Sequence, residues 1–195
     1  ALGFEPVDLL ADLEHRFQPT VELLQAAGPV AGLIVASPSN PTGTTVTEPE
    51  MRALARHCET QGIRLISDEI YHGILFEGRT ATAAGCSDSA IVINSFSKYY
   101  SMTGWRLGWM IAPADMLRAI ECLAQNLFIS APSLSQLAAL AAFDCAEELD
   151  GHVRRYRENR DLLLSGLPRA GLDRLTSPDG AFYIYADVSH LTNDS

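Results

Sequence analysis

The chain has 195 residues, 47% of them hydrophobic, and a formal net charge of -10 at pH 7. A chain of this length and apolar content can bury a core, so its composition argues against intrinsic disorder. The acidic excess disfavours nucleic acid and anionic membrane as partners, and no apolar run approaches the roughly 20 residues that span a bilayer.

From about Leu33 onward, short apolar runs alternate with amphipathic segments, which is typical of βαβ units on a parallel sheet. Residues 32–36 are predicted to form a buried strand, which the turn-forming residues 37–43 bring to an end. The run T-E-P-E at 47–50 matches a capping box and is followed by apolar residues at helical spacing. A helix is therefore predicted to begin there.

Three more strands are predicted further along the chain, at residues 63–67, 90–94 and 107–112. The first of these delivers Asp68 at its carboxyl end. The second delivers the run S-F-S-K at 95–98, so a lysine directly follows an apolar strand.

The sequence after Pro113 has helical periodicity, which predicts one helix carrying residues 117–127 and another carrying residues 134–141. Gly151 is predicted to mark a break before a long charged helix. Residues 181–188 are then predicted to form a strand of a second region.

The four cysteines lie far apart, with no C-x-x-C pair and no histidines at ligand spacing. Neither a metal site nor a disulfide framework is therefore indicated. Because free cysteine is among the most often buried residue types, we expect buried, reduced thiols in a cytoplasmic protein.

Ligands of open α/β sheets bind outside the carboxyl ends of the strands. Polar side chains hold such positions after three predicted strands, namely Asn40, Asp68, Ser95, Ser97 and Lys98. We therefore expect these side chains to converge on one crevice.

Lys98 and Arg106 are cations within a largely apolar stretch, where an unpaired charge is costly to bury. A lysine amine in a partly desolvated pocket can attack a carbonyl to form a Schiff base, the chemistry of pyridoxal 5'-phosphate (PLP) enzymes. Such an enzyme also needs a carboxylate at the pyridine nitrogen, and Asp68 is the candidate. The phosphate and aldehyde of PLP would compensate the two cations.

The other polar residues fit the remaining groups of the same cofactor. Arg106, Ser95 and Ser97 supply the planar fork and hydroxyl donors that suit a phosphate, and Asn40 and Tyr71 supply donors for the phenolic oxygen. Structural roles stay open as alternatives: a solvated loop for Lys98, a cap for Asp68, a turn for Asn40 or Ser97, and an ion pair for Arg106.

Four motifs occur in order: S-N-P-T-G at 39–43, S-D-E-I-Y at 67–71, S-F-S-K at 95–98 and M-T-G-W-R-L-G at 102–108. The spacing is 28 residues from Asn40 to Asp68, 30 from there to Lys98 and 8 from there to Arg106. Together these motifs resemble the class I/II aminotransferases of PLP fold type I, the aspartate aminotransferase superfamily. The resemblance covers most of the chain.

The resemblance implies an α/β fold: the three-layer, mostly parallel sheet of the fold type I large domain, followed by the start of a small α+β domain. It further implies that Lys98 forms the Schiff base and moves the substrate α-proton, and that Asp68 pairs with the pyridinium. By the same resemblance Asn40 and Tyr71 bind the phenolate oxygen, and the phosphate site consists of Ser95, Ser97 and Arg106.

Members of this family also carry an upstream glycine-rich turn, an upstream ring-stacking aromatic residue and a downstream carboxylate-binding arginine. The chain lacks these features, so we expect a fragment that is catalytically poor by itself. The expected divisions are part of the PLP-binding large domain at 1–145, a connecting helix at 146–170 and the beginning of the small domain at 171–195. The resemblance also implies a homodimer in the intact protein, with an amino acid and a 2-oxo acid as substrates.

Two other functions share much of this pattern. A PLP-dependent carbon-sulfur lyase or decarboxylase of the same fold would use the same lysine and aspartate. An aminotransferase-like sensor domain of a transcription regulator would keep the pocket without turnover.

Overall fold

The computed structural model describes residues 3–191 of the chain. Its helices are α1 (Val21–Ala26), α2 (Glu48–Gln61), α3 (Leu117–Leu127), α4 (Ser133–Ala142) and α5 (Ala146–Gly166). Its strands are β1 (Gly32–Ala36), β2 (Arg64–Asp68), β3 (Ile91–Ser95), β4 (Gly108–Ile111), β5 (Leu175–Thr176) and β6 (Tyr185–Ala186). Strands β1 to β4 form one sheet, and β5 and β6 form a separate pair.

The main sheet has the order β1-β2-β3-β4, with β1, β2 and β3 parallel and β4 antiparallel to β3. The expected α/β fold with a mostly parallel sheet is confirmed, and each of the four predicted strands lies within one residue of its expected bounds. Because β4 runs back along β3, the chain just before β4 returns to the edge of the sheet where β3 ends.

Helix α2 packs against one face of the main sheet. The predicted capping box is present, and the backbone N–H of Thr47 donates to the Glu50 carboxylate at 2.7 Å. The helix buries Met51, Leu54 and Cys58 in a core cluster that also contains buried side chains of β1, β2 and β3. The apolar side of α2 therefore stabilises the sheet whose strand ends carry the polar residues.

Two of the expectations for the second half of the chain were wrong. Gly151 does not interrupt a helix, because α5 runs through it from Ala146 to Gly166; one interior glycine costs only about 1 kcal/mol, which a long packed helix tolerates. The strand expected at 181–188 is reduced to the two residues of β6, because Ala181 has a left-handed φ of 56°, which an extended strand does not accommodate.

All four cysteines are free, as expected, but the expectation that they are buried holds fully only for Cys58. Cys145 is exposed because it lies at the solvent-facing start of α5.

Helices α3 and α4 present a broad apolar surface that no described part of the chain covers. Leu127 is 76% exposed and Leu134 is 69% exposed, although both lie at apolar-face positions of amphipathic helices. No helix in the described part of the chain is long and apolar enough to cross a membrane.

Candidate active site

The carboxyl ends of the strands meet at one edge of the main sheet. Asp68, the last residue of β2, is in register with Ala36 of β1 and Ile93 of β3. Ser95, the last residue of β3, is in register with Gly108, the first residue of β4. The segments that carry the predicted site residues therefore leave the sheet side by side.

Lys98 lies in the turn that follows β3 and is the only lysine in the chain. Its Nζ lies 5.3 Å from the ring centroid of Tyr71 and 5.8 Å from that of Phe182. Within residues 3–191 no carboxylate forms an ion pair with this amine. The half-buried amine thus lies against aromatic rings and is free to interact with a ligand.

Tyr71 is 3% exposed, and its hydroxyl shares a hydrogen bond with the hydroxyl of Tyr183. Burial raises the pKa of the Tyr71 phenol, and the hydrogen bond with Tyr183 and the negative charge of Asp68 raise it further. Hydrogen bonding with the Asn40 side chain acts in the opposite direction on the same pKa. Tyr71 is therefore a neutral phenol at physiological pH, with Asn40 beside its hydroxyl.

Asp68 and Glu69 are adjacent carboxylates with different environments, because successive side chains at a strand end point to opposite faces. Glu69 is 1% exposed, and its Oε1 accepts hydrogen bonds from the Ser67 hydroxyl at 3.0 Å and the Ala83 N–H at 2.8 Å. Asp68 is half-buried, and its carboxylate accepts only the Ile70 N–H, at 3.2 Å, among the described residues. Glu69 thus stabilises the loop structure, and Asp68 has acceptor capacity left for a ligand.

The two serines and Arg106 border the same sheet edge. The Ser95 hydroxyl accepts the Ser97 N–H at 2.9 Å and donates to the Leu107 carbonyl at 3.4 Å. Arg106 is exposed and adopts a left-handed φ of 52°, with its Nη1 donating to the Thr103 carbonyl at 2.9 Å. In the part of the chain that the structure describes, no carboxylate pairs with this guanidinium.

The structure does not join all three of these groups directly. No hydrogen bond among residues 3–191 links the Arg106 guanidinium to the hydroxyl of Ser95 or Ser97. The Arg106 guanidinium and a serine hydroxyl at this edge of the main sheet could therefore both bind a ligand that lies between them.

Two aromatic residues of the site, Phe182 and Tyr183, were missed by the sequence analysis, which placed them in a regular strand. The Phe182 ring packs edge-on against Tyr71, with ring centroids 5.4 Å apart. No local pattern identifies either residue, because their position depends on contacts between distant parts of the chain. Adjacent aromatic residues after the turn at 178–180 are the only sequence signal.

The loop after β1 is held against that turn by close backbone contacts. Gly43 has a φ of 70°, and its carbonyl accepts the N–H groups of Asp179 at 2.9 Å and Gly180 at 3.0 Å. A Cβ on Gly43 would lie 2.4 Å from the Cβ of Pro178. This contact brings the Asn40 loop and the segment of Phe182 to the same side of the site.

No cluster of three or more metal-binding side chains occurs in the ranges that are described. The arrangement offers an amine, a phenol, a carboxylate, a guanidinium and two hydroxyls around one sheet edge. Such a set can form a covalent bond to a carbonyl, hold a protonated ring nitrogen and bind a phosphate.

A family model described as aminotransferase class I and II matches residues 3–195. A valine–pyruvate aminotransferase from Mycobacterium tuberculosis is 50% identical over an alignment that covers 100% of this chain and 52% of that protein. A solved aminotransferase structure from Mycobacterium tuberculosis superposes with a TM-score of 0.90 at 50% identity, covering 95% of this chain and 49% of that one. An aspartate aminotransferase from Thermus thermophilus with maleate gives a TM-score of 0.85 at 33% identity, covering 92% of this chain and 49% of that one.

The chain therefore spans about half the length of the curated relatives and solved structures that it matches.

Proposed function

Because the chain belongs to the class I and II aminotransferase family and has the α/β architecture of its fold type I members, we propose that the protein containing it is a PLP-dependent aminotransferase. It would transfer an amino group between an amino acid and a 2-oxo acid. Enzymes of this family are generally PLP-dependent, and the relatives named above act on amino and oxo acids. The observation that carries the proposal is the environment of Lys98, the sole lysine of the chain.

The position of this lysine argues for a chemical role rather than a role as a general cation. The chain has 14 lysine and arginine residues, and every one except Lys98 is an arginine. An arginine cannot form a Schiff base, because its guanidinium stays protonated in proteins. The one primary side-chain amine of the chain lies against the Tyr71 ring, and a carbonyl ligand bound there could react with it.

The chemistry of the donor set fits PLP. The cofactor has an aldehyde, a phenolic oxygen, a ring nitrogen and a dianionic phosphate, and the sheet edge carries a complementary group for each of them. Among residues 3–191 no carboxylate pairs with Lys98 or Arg106, so both cations can bind a ligand that carries an aldehyde and a phosphate.

When bound, PLP supplies an electron sink for the negative charge that develops at the substrate α-carbon. Lys98 would hold the cofactor through its amine, and the same amine would move the proton at the substrate α-carbon. Asp68 would hold a proton on the ring nitrogen. Tyr71 and Asn40 would donate hydrogen bonds to the phenolic oxygen, since the raised pKa of Tyr71 keeps its hydrogen in place.

The groups that would bind the phosphate lie just before β4 and at the end of β3. Arg106 would supply a planar fork and Ser97 a hydroxyl donor, and the Ser95 hydroxyl would exchange its 3.4 Å contact with the Leu107 carbonyl for the phosphate. The left-handed backbone of Arg106 costs on the order of 1–3 kcal/mol, and strain of this kind persists where the surrounding structure holds a functional residue in place.

The relative at 50% identity is named for valine and pyruvate, so these are the first donor and acceptor to test. The homodimer, the cytoplasmic setting, the absence of nucleic-acid partners and the division into domains at 1–145, 146–170 and 171–195 stay predictions. Residues 1–2 and 192–195 of that division lie outside the described residues.

The test uses the full open reading frame that encodes this chain, loaded with PLP and reduced with sodium borohydride. Peptide mapping by mass spectrometry should find the reduced cofactor on Lys98, and the unreduced protein should move the amino group from valine or another donor to a 2-oxo acid. Modification at a different lysine contradicts the assignment. Ammonia or pyruvate released without an added 2-oxo acid would identify a lyase, and bound PLP with no turnover of any donor would identify a sensor.

A further inference from the structure

Tyr183 is held beside Tyr71 by the backbone, and not only by the contact of their side chains. The Ala181 N–H donates to the Ile74 carbonyl at 2.9 Å, and the Phe76 N–H donates to the Asp179 carbonyl at 2.8 Å. These bonds pair the segment at 179–181 with the loop that immediately follows Tyr71. Ala181 is fully buried, so this pairing lies inside the protein.

The two aromatic rings are also packed together. Their centroids are 5.7 Å apart in an edge-to-face arrangement, and Phe182 packs against both of them. The ring packing therefore keeps the Tyr183 hydroxyl within hydrogen-bond distance of the Tyr71 hydroxyl. The charged and polar groups that face Tyr71 are Lys98, Asp68 and Asn40.

The hydroxyl pair can exist in two arrangements, because each phenol carries one hydrogen and either oxygen can be the donor. When Tyr71 donates to Tyr183, its hydrogen is not available to a ligand. When Tyr183 donates to Tyr71, the hydrogen of Tyr71 is free to point at a ligand oxygen. An anionic oxygen beside Tyr71 stabilises the second arrangement, and the donated bond polarises Tyr71 and strengthens the bond that it donates.

We propose that Tyr183 is a positioning residue for the reaction: its hydroxyl donates to Tyr71 and so directs the Tyr71 hydroxyl hydrogen to the phenolic oxygen of the bound cofactor. This inference rests on the proposed function, and it concerns a residue outside the four family motifs. It makes the segment after α5 part of the hydrogen-bond chain that controls the charge on that oxygen.

The test measures absorbance, not turnover. A hydrogen bond to the phenolic oxygen stabilises its negative charge and weakens its hold on the proton of the lysine-bound nitrogen. Losing that bond therefore moves the absorbance transition of the lysine-bound cofactor to higher pH. Tyr183→Phe leaves the Tyr71 hydrogen free to donate but removes the bond that polarises it. The full open reading frame carrying Tyr183→Phe should therefore show this transition raised by about 0.1–0.3 pH unit, the fraction of one neutral hydrogen bond that such polarisation contributes.

The control variants separate this proposal from the proposed function. Tyr71→Phe should raise the transition more than Tyr183→Phe does, and adding Tyr183→Phe to Tyr71→Phe should change nothing further. Tyr185→Phe removes an exposed hydroxyl two residues away and should leave the transition unchanged. If Tyr71→Phe itself has no effect, the role of Tyr71 in the proposed function fails.

Two results overturn the role of Tyr183. The first is a folded Tyr183→Phe protein whose transition is unchanged, although the single variant Tyr71→Phe does shift it. The second is a double variant in which Tyr183→Phe, added to Tyr71→Phe, shifts the transition as much as it does alone. If Tyr183→Phe does not fold, 3-fluorotyrosine at position 183 replaces it as the probe. The more acidic phenol is a stronger donor and should lower the transition pH, whereas an unchanged or raised value would overturn the proposal.

Discussion

The Nζ of Lys98 lies 5.3 Å from the centroid of the Tyr71 ring, so this side chain packs against an aromatic face. A cation–π contact contributes about 0.5–1 kcal/mol at exposed sites and about 2 kcal/mol when desolvated. This contact positions the Lys98 side chain without a carboxylate partner among the described residues. The amine therefore keeps its capacity to bind a ligand, and its neutral form is the one that attacks a carbonyl.

We expect Lys98→Ala to abolish both the absorbance band of the lysine-bound cofactor and transamination by the full-length protein. Loss of the base alone should lower turnover by about 10²–10⁴-fold. Lys98→Arg is the matched control, because it keeps the positive charge and removes the amine. A band that persists in either variant would refute the assignment of Lys98 as the anchor.

Asp68→Ala should leave the cofactor bound and slow removal of the substrate α-proton by orders of magnitude, because the ring nitrogen loses the carboxylate that keeps it protonated. Stopped-flow absorbance after mixing with the amino-acid donor measures this step. Asp88→Ala, which changes an exposed carboxylate elsewhere, should behave like the unchanged protein. Unchanged turnover in Asp68→Ala would count against the pyridinium role.

Gly43→Ala should destabilise the protein by roughly 2 kcal/mol or more, because the new methyl group adds a steric clash to a left-handed backbone. The clash is with Pro178, whose Cβ would lie 2.4 Å away. Gly28→Ala is the control, since Gly28 has a φ of 81° and open space around its Cβ position. Chemical denaturation measures both, and equal losses would show that the contact with Pro178 is unimportant.

His72 predicts a dependence of stability on pH. Burial lowers its pKa below the ordinary 6.5, although the charge of Glu69 opposes this shift. As the pH falls below about 6.5, the unfolded chain binds a proton that the folded chain resists, so the free energy of unfolding decreases. Below that pH the free energy of unfolding should decrease less with falling pH in His72→Gln than in His152→Gln, which alters an exposed histidine on α5. Denaturation measured at a series of pH values gives both dependences. The same pH dependence in both variants would show that His72 does not cause the loss of stability in acid.

The main sheet could be predicted from the sequence because each strand is a short apolar run bounded by turn-forming residues. The same logic located Asp68, Ser95 and Lys98, since any residue that directly follows a parallel strand lies at one known edge. Arg106 was placed by its motif, and the antiparallel β4 explains why it returns to that edge. Their roles in binding and catalysis stay predictions.

Tyr183 was not predictable in this way. Its position depends on the pairing of residues 179–181 with the loop after Tyr71, which are about a hundred positions apart in the chain, and no local pattern encodes such a pairing. The continuity of α5 through Gly151 was missed for a related reason, because packing of α5 residues such as Leu149 outweighs the local preference of one glycine.

The exposed leucines of α3 and α4 affect the behaviour of this polypeptide in solution. Exposed apolar side chains of this kind promote self-association and bind hydrophobic dyes, even when the fold beneath them is native. Dye binding by this chain should therefore be interpreted as a property of those two helices before it is attributed to unfolding.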